Sequence, residues 1–566
     1  MTDLALPPHH VVRQEVSRDE WIMRTATMAV GVLLIFALVL PLYAMLSKSV
    51  EDKAGQFIGL ANYIAYFKTP ALAQSVVNSF FVSIVSTVIT VVLAFGYAFA
   101  LTRSAMPFKE LFKVIALFPL LAPSLLPGIS LVYLFGNQGL IKGVLMGNTI
   151  YGPIGIIIGE VFFCFPHAFL IILTAMSLAD ARLYEAAEAL RASRLRIFFT
   201  VTLPGAKYGL ISAFFVVFTL VITDFGVPKV IGGQYNVLAT DIYKQVIGQQ
   251  NFQMGSVVSV ILLLPAIIAF AADRIIQRRQ VALLSARAVP YEAKPSLGRD
   301  SAMLAFCVVV AVMILGMLGM AAFASYVTFW PYNLKPSWKN YDFDAKDGIG
   351  WAAYWNSLIM SAWTAVIGTI IVFVGAYLVE KTRGFRLCRT LIQMLAMLPM
   401  AVPGLVLGLS YIFFFNNPAN PFNFLYQTMA ILVICTIAHF YTVAHLTAVT
   451  ALKQMDAEFE SVSASLKVPP WKTFWRVTAP VCLPAILDIS IYLFVNAMTT
   501  VSAVVFIYYV NTTLASIQVL NMDDAGDVAP AAAMAMMIVY TSAAVRVLHW
   551  LATRGLSRRT QAWRRR

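Results

Sequence analysis

DARLYEAAEALRASRLRIFFTVTLP, Asp180 to Pro204, returns 276 residues later as DAEFESVSASLKVPPWKTFWRVTAP, Asp456 to Pro480. Each copy opens on an aspartate, a residue whose carboxylate accepts the unpaired amides of a starting helix. Leu183, Ala186, Ala187 and Leu190 then fall at i, i+3, i+4 and i+7, and Phe459, Val462, Ser463 and Leu466 repeat the spacing. One stripe of small and apolar residues therefore runs along a short helix in each copy. Phe198, Val201 and Pro204 match Phe474, Val477 and Pro480, and each proline stops the loop before the next apolar segment. A polar loop duplicated at matched spacing points to two surfaces built for two copies of one soluble partner. The competing reading packs the stripe on the chain's own helix ends, and the repetition weighs against it.

The medium follows from composition. Of 566 residues 60% are apolar and 12% charged, and the mean hydropathy is +0.78, which excludes ordinary water-soluble domains. About twelve segments reach the roughly 20 apolar residues that a helix needs to cross a bilayer. They lie near 24–46, 77–101, 114–136, 152–175, 209–228, 255–273, 302–325, 356–379, 390–415, 428–450, 485–508 and 531–551. Barrel strands would alternate polar and apolar residues, whereas these runs are continuous. The expectation is an all-α polytopic membrane protein.

With the N-terminus placed inside, the outer loops hold nine basic residues, all lysines, and the remainder of the 41 fall on the inner side. This is the asymmetry that retains Lys and Arg in the cytoplasm. Both termini are expected there. The net charge of +14 then describes topology and contact with anionic lipid, not nucleic-acid binding. Residues 1–20 are polar, so no cleaved signal is expected before the first span. All five cysteines fall in spans or on the reducing side, which argues against disulfides and for small buried apolar residues.

The duplication extends beyond the loop. Asn78-Ser79 and Asn356-Ser357 open corresponding spans, and Thr102-Arg103 and Thr382-Arg383 close them. Pro119, Pro123, Gly128, Ser130 and Asn137 return as Pro399, Pro403, Gly408, Ser410 and Asn417. Six spans is an even number, so both halves enter from one side as a parallel repeat. The halves are 1–285 (core 75–274) and 286–566 (core 354–551), joined by a basic inner linker. The proline pairs break backbone hydrogen bonds inside spans; they serve either a cavity or hinge, or simply bent packing.

The sequence EAAEALRASRLRIFFTVTLP resembles the EAA loop of permease subunits of ATP-binding-cassette importers, a pattern of Glu-Ala-Ala, a glycine soon after, and a closing Leu-Pro. The resemblance covers both halves and implies the fold of type I importer permeases. It implies a short cytoplasmic helix seated in a cleft of an ATPase, with Glu185, Ala186, Ala187, Leu190, Arg191, Phe198 and Pro204 coupling one copy. Glu460, Ser461, Ser463, Leu466, Lys467, Phe474 and Pro480 would couple the other. Two positions depart: the glycine is Arg191 in one copy and Lys467 in the other, and Glu185 aligns with Ser461, leaving Glu460 one place early. Either the turn is reshaped or these bases contact the partner.

Stretches such as TDFGVPKVIGGQYNVLATDIYKQVIGQQNFQMG further resemble fused two-domain permeases assigned to 2-aminoethylphosphonate import, a group close to the ferric-iron permeases. The resemblance implies that solute, with ferric iron as the alternative.

The sequence has no phosphate-binding G-x-x-x-x-G-K-S/T loop, so no cofactor is expected in the chain and ATP is left to two separate ATPase subunits. The outer loops are short, and a periplasmic binding protein is expected to deliver the solute. No catalytic or metal site is expected, and the chain is not an enzyme. Ionisable residues in spans are path candidates because their insertion is costly: Glu160 and His167 on the fourth span and Asp224 ending the fifth, with Thr500 at the position equivalent to Asp224. Hydrogen bonding between helices is the structural alternative for each. The other transporter class is an ion-coupled secondary carrier, which would need no pair of docking loops.

Overall fold

The computed structural model describes residues 18–178, 180–283, 291–347, 350–382, 385–456 and 458–560. The first half runs through α1 (Arg18–Ser49), α2 (Pro70–Arg103), the bent pair α3 (Lys109–Leu121) and α4 (Leu125–Phe135), α5 (Pro153–Ser177) and the short α6 (Ala181–Ala189). It continues with α7 (Arg194–Thr223), two short helices α8 (Gly226–Ile231) and α9 (Leu238–Tyr243), and α10 (Phe252–Leu283). The second half repeats this order as α11 (Leu297–Tyr326), α12 (Gly350–Lys381), the bent pair α13 (Arg386–Ala401) and α14 (Gly404–Phe415), α15 (Met429–Lys453) and α16 (Glu458–Ser465). A third bent pair, α17 (Pro470–Val481) and α18 (Leu483–Thr499), is followed by α19 (Ala515–Asp524) and α20 (Val528–Thr560). Among the described residues nine helices are long and apolar enough to cross a membrane, and the three bent pairs raise the number of crossings to as many as twelve.

The bends sit where the prolines predict them. α3 meets α4 at 103° and α13 meets α14 at 112°. Prolines have no amide hydrogen, so the helical ladder stops, and the carbonyls of Pro119 and Pro399 instead take the amides of Ala122 (3.2 Å) and Val402 (3.3 Å) in a tighter turn. Two predicted spans are too long. The segments expected at 209–228 and 485–508 end as helices at Thr223 and Thr499, where Asp224 and Thr500 turn to extended backbone. The apolar residues beyond them bury against the bundle instead of extending the helix, a distinction that hydropathy alone cannot make. A hairpin of β1 (Val327–Phe329) and β2 (Asn333–Pro336) was also not predicted; its neighbour Trp330 donates its indole N–H to the carbonyl of Gln138 in the first half at 3.0 Å.

The leading helix of each half packs on the other half. α1 lies against α12, α13 and α14, and α11 against α2, α3 and α4. The Tyr411 hydroxyl donates to the Ala37 carbonyl at 2.8 Å in one exchange. In the other, Cys307, Val310, Ile314 and Met317 of α11 complete the buried cluster of the first half. With lipid tails as apolar as leucine, such contacts are held by close fit, not by expulsion of water. Small residues set the fit: a Cβ at Gly209 of α7 would stand 2.3 Å from that of Ala175 on α5.

We call the face carrying Arg18 and Thr560 basal and the opposite one distal; Thr27 near the start of α1 meets Thr382 at the end of α12 on the basal side. α6 and α16 follow the basal ends of α5 and α15, and α8, α9 and α19 follow the distal ends of α7 and α18.

Candidate functional site

The two short basal helices are built alike. Asp180 accepts the Arg182 amide at 3.1 Å and Asp456 the Glu458 amide at 3.0 Å, the N-caps that the sequence predicts. At the other end, Ala192 N–H reaches the Ala187 carbonyl and Val468 N–H the Ser463 carbonyl, both at 3.0 Å. These are the closing bonds of a C-terminal motif whose penultimate residue is left-handed and usually glycine. Arg191 and Lys467 fill that position with φ of 54° and 51°. The turn is therefore not reshaped by loss of the glycine. Each base holds the glycine's conformation at a cost of about 1 kcal/mol.

Much of the stripe is uncovered. Leu190 is 83% and Leu466 70% exposed, and Leu183 and Val462 are also exposed. Glu185, Ala186 and Ser461 are exposed, Ala187 and Ser463 half-buried, and Pro204 and Pro480 exposed. The Glu460 side chain lies outside the described residues. Phe198 and Phe474 face inward: the first ring stands 6.0 and 5.9 Å from Phe95 and Phe99 of α2, the second 6.0 and 4.7 Å from Phe373 and Tyr377 of α12. They anchor each loop to the second span of its own half. Each begins a single wide turn, Phe198–Thr202 and Phe474–Thr478, of the kind that inserts one residue into a helix and recurs at functional sites.

A second anchor escaped sequence reasoning. Arg103, closing α2, is 5% exposed; its guanidinium donates to the Tyr184 hydroxyl at 3.1 Å and the Met176 carbonyl at 2.9 Å. Tyr184 donates in turn to Thr202 at 3.1 Å. The Tyr291 ring of the linker packs, tilted by 43°, with its centroid 4.5 Å from that of Tyr184, and Lys294 pairs with Glu188 at 2.7 Å. One buried guanidinium thus ties α2, α5, α6 and the interhalf linker together. The Thr102-Arg103 repeat was the available signal, but the predicted counterpart Arg383 lies outside the described residues. In the second half Ser463 hydrogen-bonds Thr473.

Among the path candidates, Glu160 and Asp224 come together. Glu160 is fully buried on α5, with the Cys164 thiol 3.9 Å from one carboxyl oxygen and the Asp224 carboxyl nearby. Asp224 also accepts the Val227 amide at 2.9 Å, capping α8. His167 lies two turns further along α5, its ring beside Phe163. Thr500 serves the second half, its carbonyl accepting the Ser516 hydroxyl at 2.5 Å. The Asn-Ser repeat also acquires a role. Ser79 accepts the Leu238 amide and Ser357 the Ala515 amide, each at 2.8 Å, while Asn78 and Asn356 donate to the Asn236 and Asn511 carbonyls at 2.9 and 3.0 Å. Each pair fixes the chain that returns after α7 or α18.

At the distal face the halves meet through charge. Lys229 of α8 pairs with Asp524, ending α19, at 2.8 Å, and its ammonium stands 5.1 Å from the Tyr243 ring, which stacks on Phe506 of the second half. Burial, and then the Asp524 carboxylate, push the Asp523 carboxyl up to about 6, with Lys229 opposing. Burial likewise raises Asp241 of α9 to about 6, against a hydrogen bond from Ser75 and the charge of Lys244.

Residues 92–281 and 371–558 each match the family described as binding-protein-dependent transport system inner membrane component. The chain belongs to that family. It is a multi-pass transport permease, not an enzyme, and the family implies ATPase and periplasmic binding-protein partners. Among curated proteins the permease is 28% identical over 497 residues to the ferric transport system permease protein FbpB of Actinobacillus pleuropneumoniae, covering 85% of this chain and 71% of that one. It is 29% identical over 462 residues to the putative ferric transport system permease protein FbpB 1 of Haemophilus influenzae, covering 78% and 70%. A shorter match, 26% over 264 residues and 44% of this permease, is to the spermidine/putrescine transport system permease protein PotB of Haemophilus influenzae, 92% of which is covered.

Proposed function

We propose that this permease forms the whole translocation path of an importer from its two fused halves, 1–285 and 286–566. Its basal face, with both termini, is cytoplasmic in a bacterial inner membrane, as the lysine-only outer loops support. Each short basal helix seats on one of two ATPase subunits, and one binding protein docks distally. The observation that carries this reading is the matched pair α6 and α16, capped, anchored and left uncovered on one face. Leu190 and Leu466 are the knobs; Glu185, Ala186, Ala187, Arg191 and their counterparts surround them. ATP-driven closure of the subunits moves the loops, and through Phe198, Phe474 and Arg103 the spans.

For the solute we favour ferric iron. Two relatives matched over most of their length are named for ferric transport, and Glu160 and Asp224 supply the oxygen donors that hard cations take. One observation favours 2-aminoethylphosphonate instead: Lys229, a fixed cation between the halves, suits a phosphonate. Reconstitution with the cognate ATPase and binding protein, followed by uptake of labelled ferric iron and labelled 2-aminoethylphosphonate, tests both. ATP-dependent accumulation of iron alone supports the first reading, and of the phosphonate alone the second. Accumulation without the ATPase would refute the importer.

A further inference from the structure

The distal junction lies at the ends of the two segments that leave the basal loops. α7 begins at Arg194 and runs 30 residues to Thr223, about 45 Å at the helical rise. Asp224 follows directly and caps α8, which carries Lys229 five residues on. In the second half α17 and α18 lead to Thr500, whose carbonyl is held by Ser516 of α19, and α19 ends in Asp524. The tips of both trains therefore meet each other in the Lys229–Asp524 pair and, beneath it, in the Tyr243–Phe506 stack.

The contact is asymmetric. At the loop offset Lys229 corresponds to Val505 and Asp524 to Gly248, so a junction built by duplication alone would lack it. Lys229 is only 20% exposed but Asp524 is 44% exposed. A pair this open to solvent contributes little to folding; what it supplies is a specific contact that forms or breaks with the relative position of the halves.

We propose that Lys229 and Asp524 are the positioning residues of a distal gate, an ionic seam that closes the outer mouth over Tyr243 and parts when the basal loops are driven together. This rests on the coupling and orientation proposed above. In the closed arrangement Asp523 reinforces the attraction for Lys229 whenever it is ionised. When the halves separate, one ammonium and two carboxylates are released to water at the place where solute enters.

The test uses the transporter assembled with its ATPase in proteoliposomes, with the five native cysteines replaced by alanine. Tyr243→Cys then reports the mouth through its rate of reaction with a membrane-impermeant maleimide added on the distal side. This parent is expected to react about tenfold faster after trapping with ADP and vanadate than at rest. No acceleration in the parent would count against the coupled importer itself, whatever the seam does. Adding Lys229→Met or Asp524→Asn is expected to raise the resting rate about threefold or more, and the reversed pair, Lys229→Asp with Asp524→Lys, to bring it back below both singles, short of the parental value because Asp523 then faces a like charge. Parental resting rates in both single variants would overturn the seam, and so would a reversed pair that stays as reactive as the singles.

Discussion

Gly226 stands so close to Ser124 that a Cβ at position 226 would lie 2.1 Å from the serine hydroxyl oxygen, and in the second half the roles reverse, with Gly404 facing Ser502 at 2.3 Å. The two halves thus hold the same contact, the helix break against the turn after the following span, with serine and glycine exchanged. One side must lack a side chain so that the other has room, and either side serves. Gly226→Ala and Gly404→Ala are expected to overpack this junction and lower stability by about 1–3 kcal/mol each. Ser124→Gly combined with Gly226→Ser copies the arrangement of the second half and should recover most of that loss. Thermal unfolding in detergent checks both, and a double variant as unstable as Gly226→Ala would refute the equivalence.

Arg191 and Lys467 keep a glycine's backbone without being glycine. If local strain were the whole account, Arg191→Gly and Lys467→Gly would only stabilise, each by about 0.5–1 kcal/mol. We expect a higher thermal midpoint together with weaker stimulation of the ATPase, because a strained base retained in both copies is explained by contact with the partner. Full stimulation in the stabilised double variant would assign these side chains no coupling role.

Much of this was legible in the sequence, and the remainder divides by physical cause. Asp180, Asp456 and the paired prolines announce caps and bends because their effects are local and set by backbone donors and acceptors. Thr223 and Thr499 as helix ends were not legible, since the apolar residues beyond them are as hydrophobic as a span yet bury against protein. Arg103 was readable only as half of a repeated dipeptide; its partners Tyr184 and Met176 are 81 and 73 residues away. Lys229 read as an outer-loop lysine, because a contact between halves that lacks a duplicate leaves no periodic trace.

Arg103→Ala should be among the most damaging single changes on the basal face. It leaves the Tyr184 hydroxyl and the Met176 carbonyl short of a donor and removes a cation stacked on Tyr184 and Tyr291 at 5.0 and 4.9 Å. A buried charged hydrogen bond is worth about 1.5–3 kcal/mol, enough to loosen α6 from α2 without preventing insertion. Faster hydrogen exchange across Ala181–Ala189, with the spans unchanged, is the expected readout. Unaltered exchange there would show that Phe198, the Tyr184–Thr202 hydrogen bond and the Lys294–Glu188 pair hold the loop without the guanidinium.

Leu190→Asp and Leu466→Asp act on exposed positions and should leave folding untouched, since surface substitutions usually fall within about 0.5 kcal/mol. Each places a carboxylate where an apolar knob meets its socket. The double variant is expected to insert and unfold like the parent while losing most ATPase stimulation, and each single to lose part. Comparing the two singles reports whether both loops drive the path, and undiminished uptake in the double would remove the stripe from the mechanism.

Asp241 and Asp523 give the permease a pH signature. Both carboxyls are raised by burial to about 6, above the roughly 3.9 of an aspartate in an unfolded chain. The folded protein therefore holds these protons more tightly than the unfolded one. Their contribution to stability is fully present below about pH 4 and is lost as pH rises through about 6. The thermal midpoint in detergent should accordingly fall between pH 5 and pH 7 by more in the parent than in Asp241→Asn or Asp523→Asn, with the double variant flattest. A parent midpoint that rises over this interval, with a slope indifferent to both substitutions, would show that neither carboxyl titrates as its burial requires.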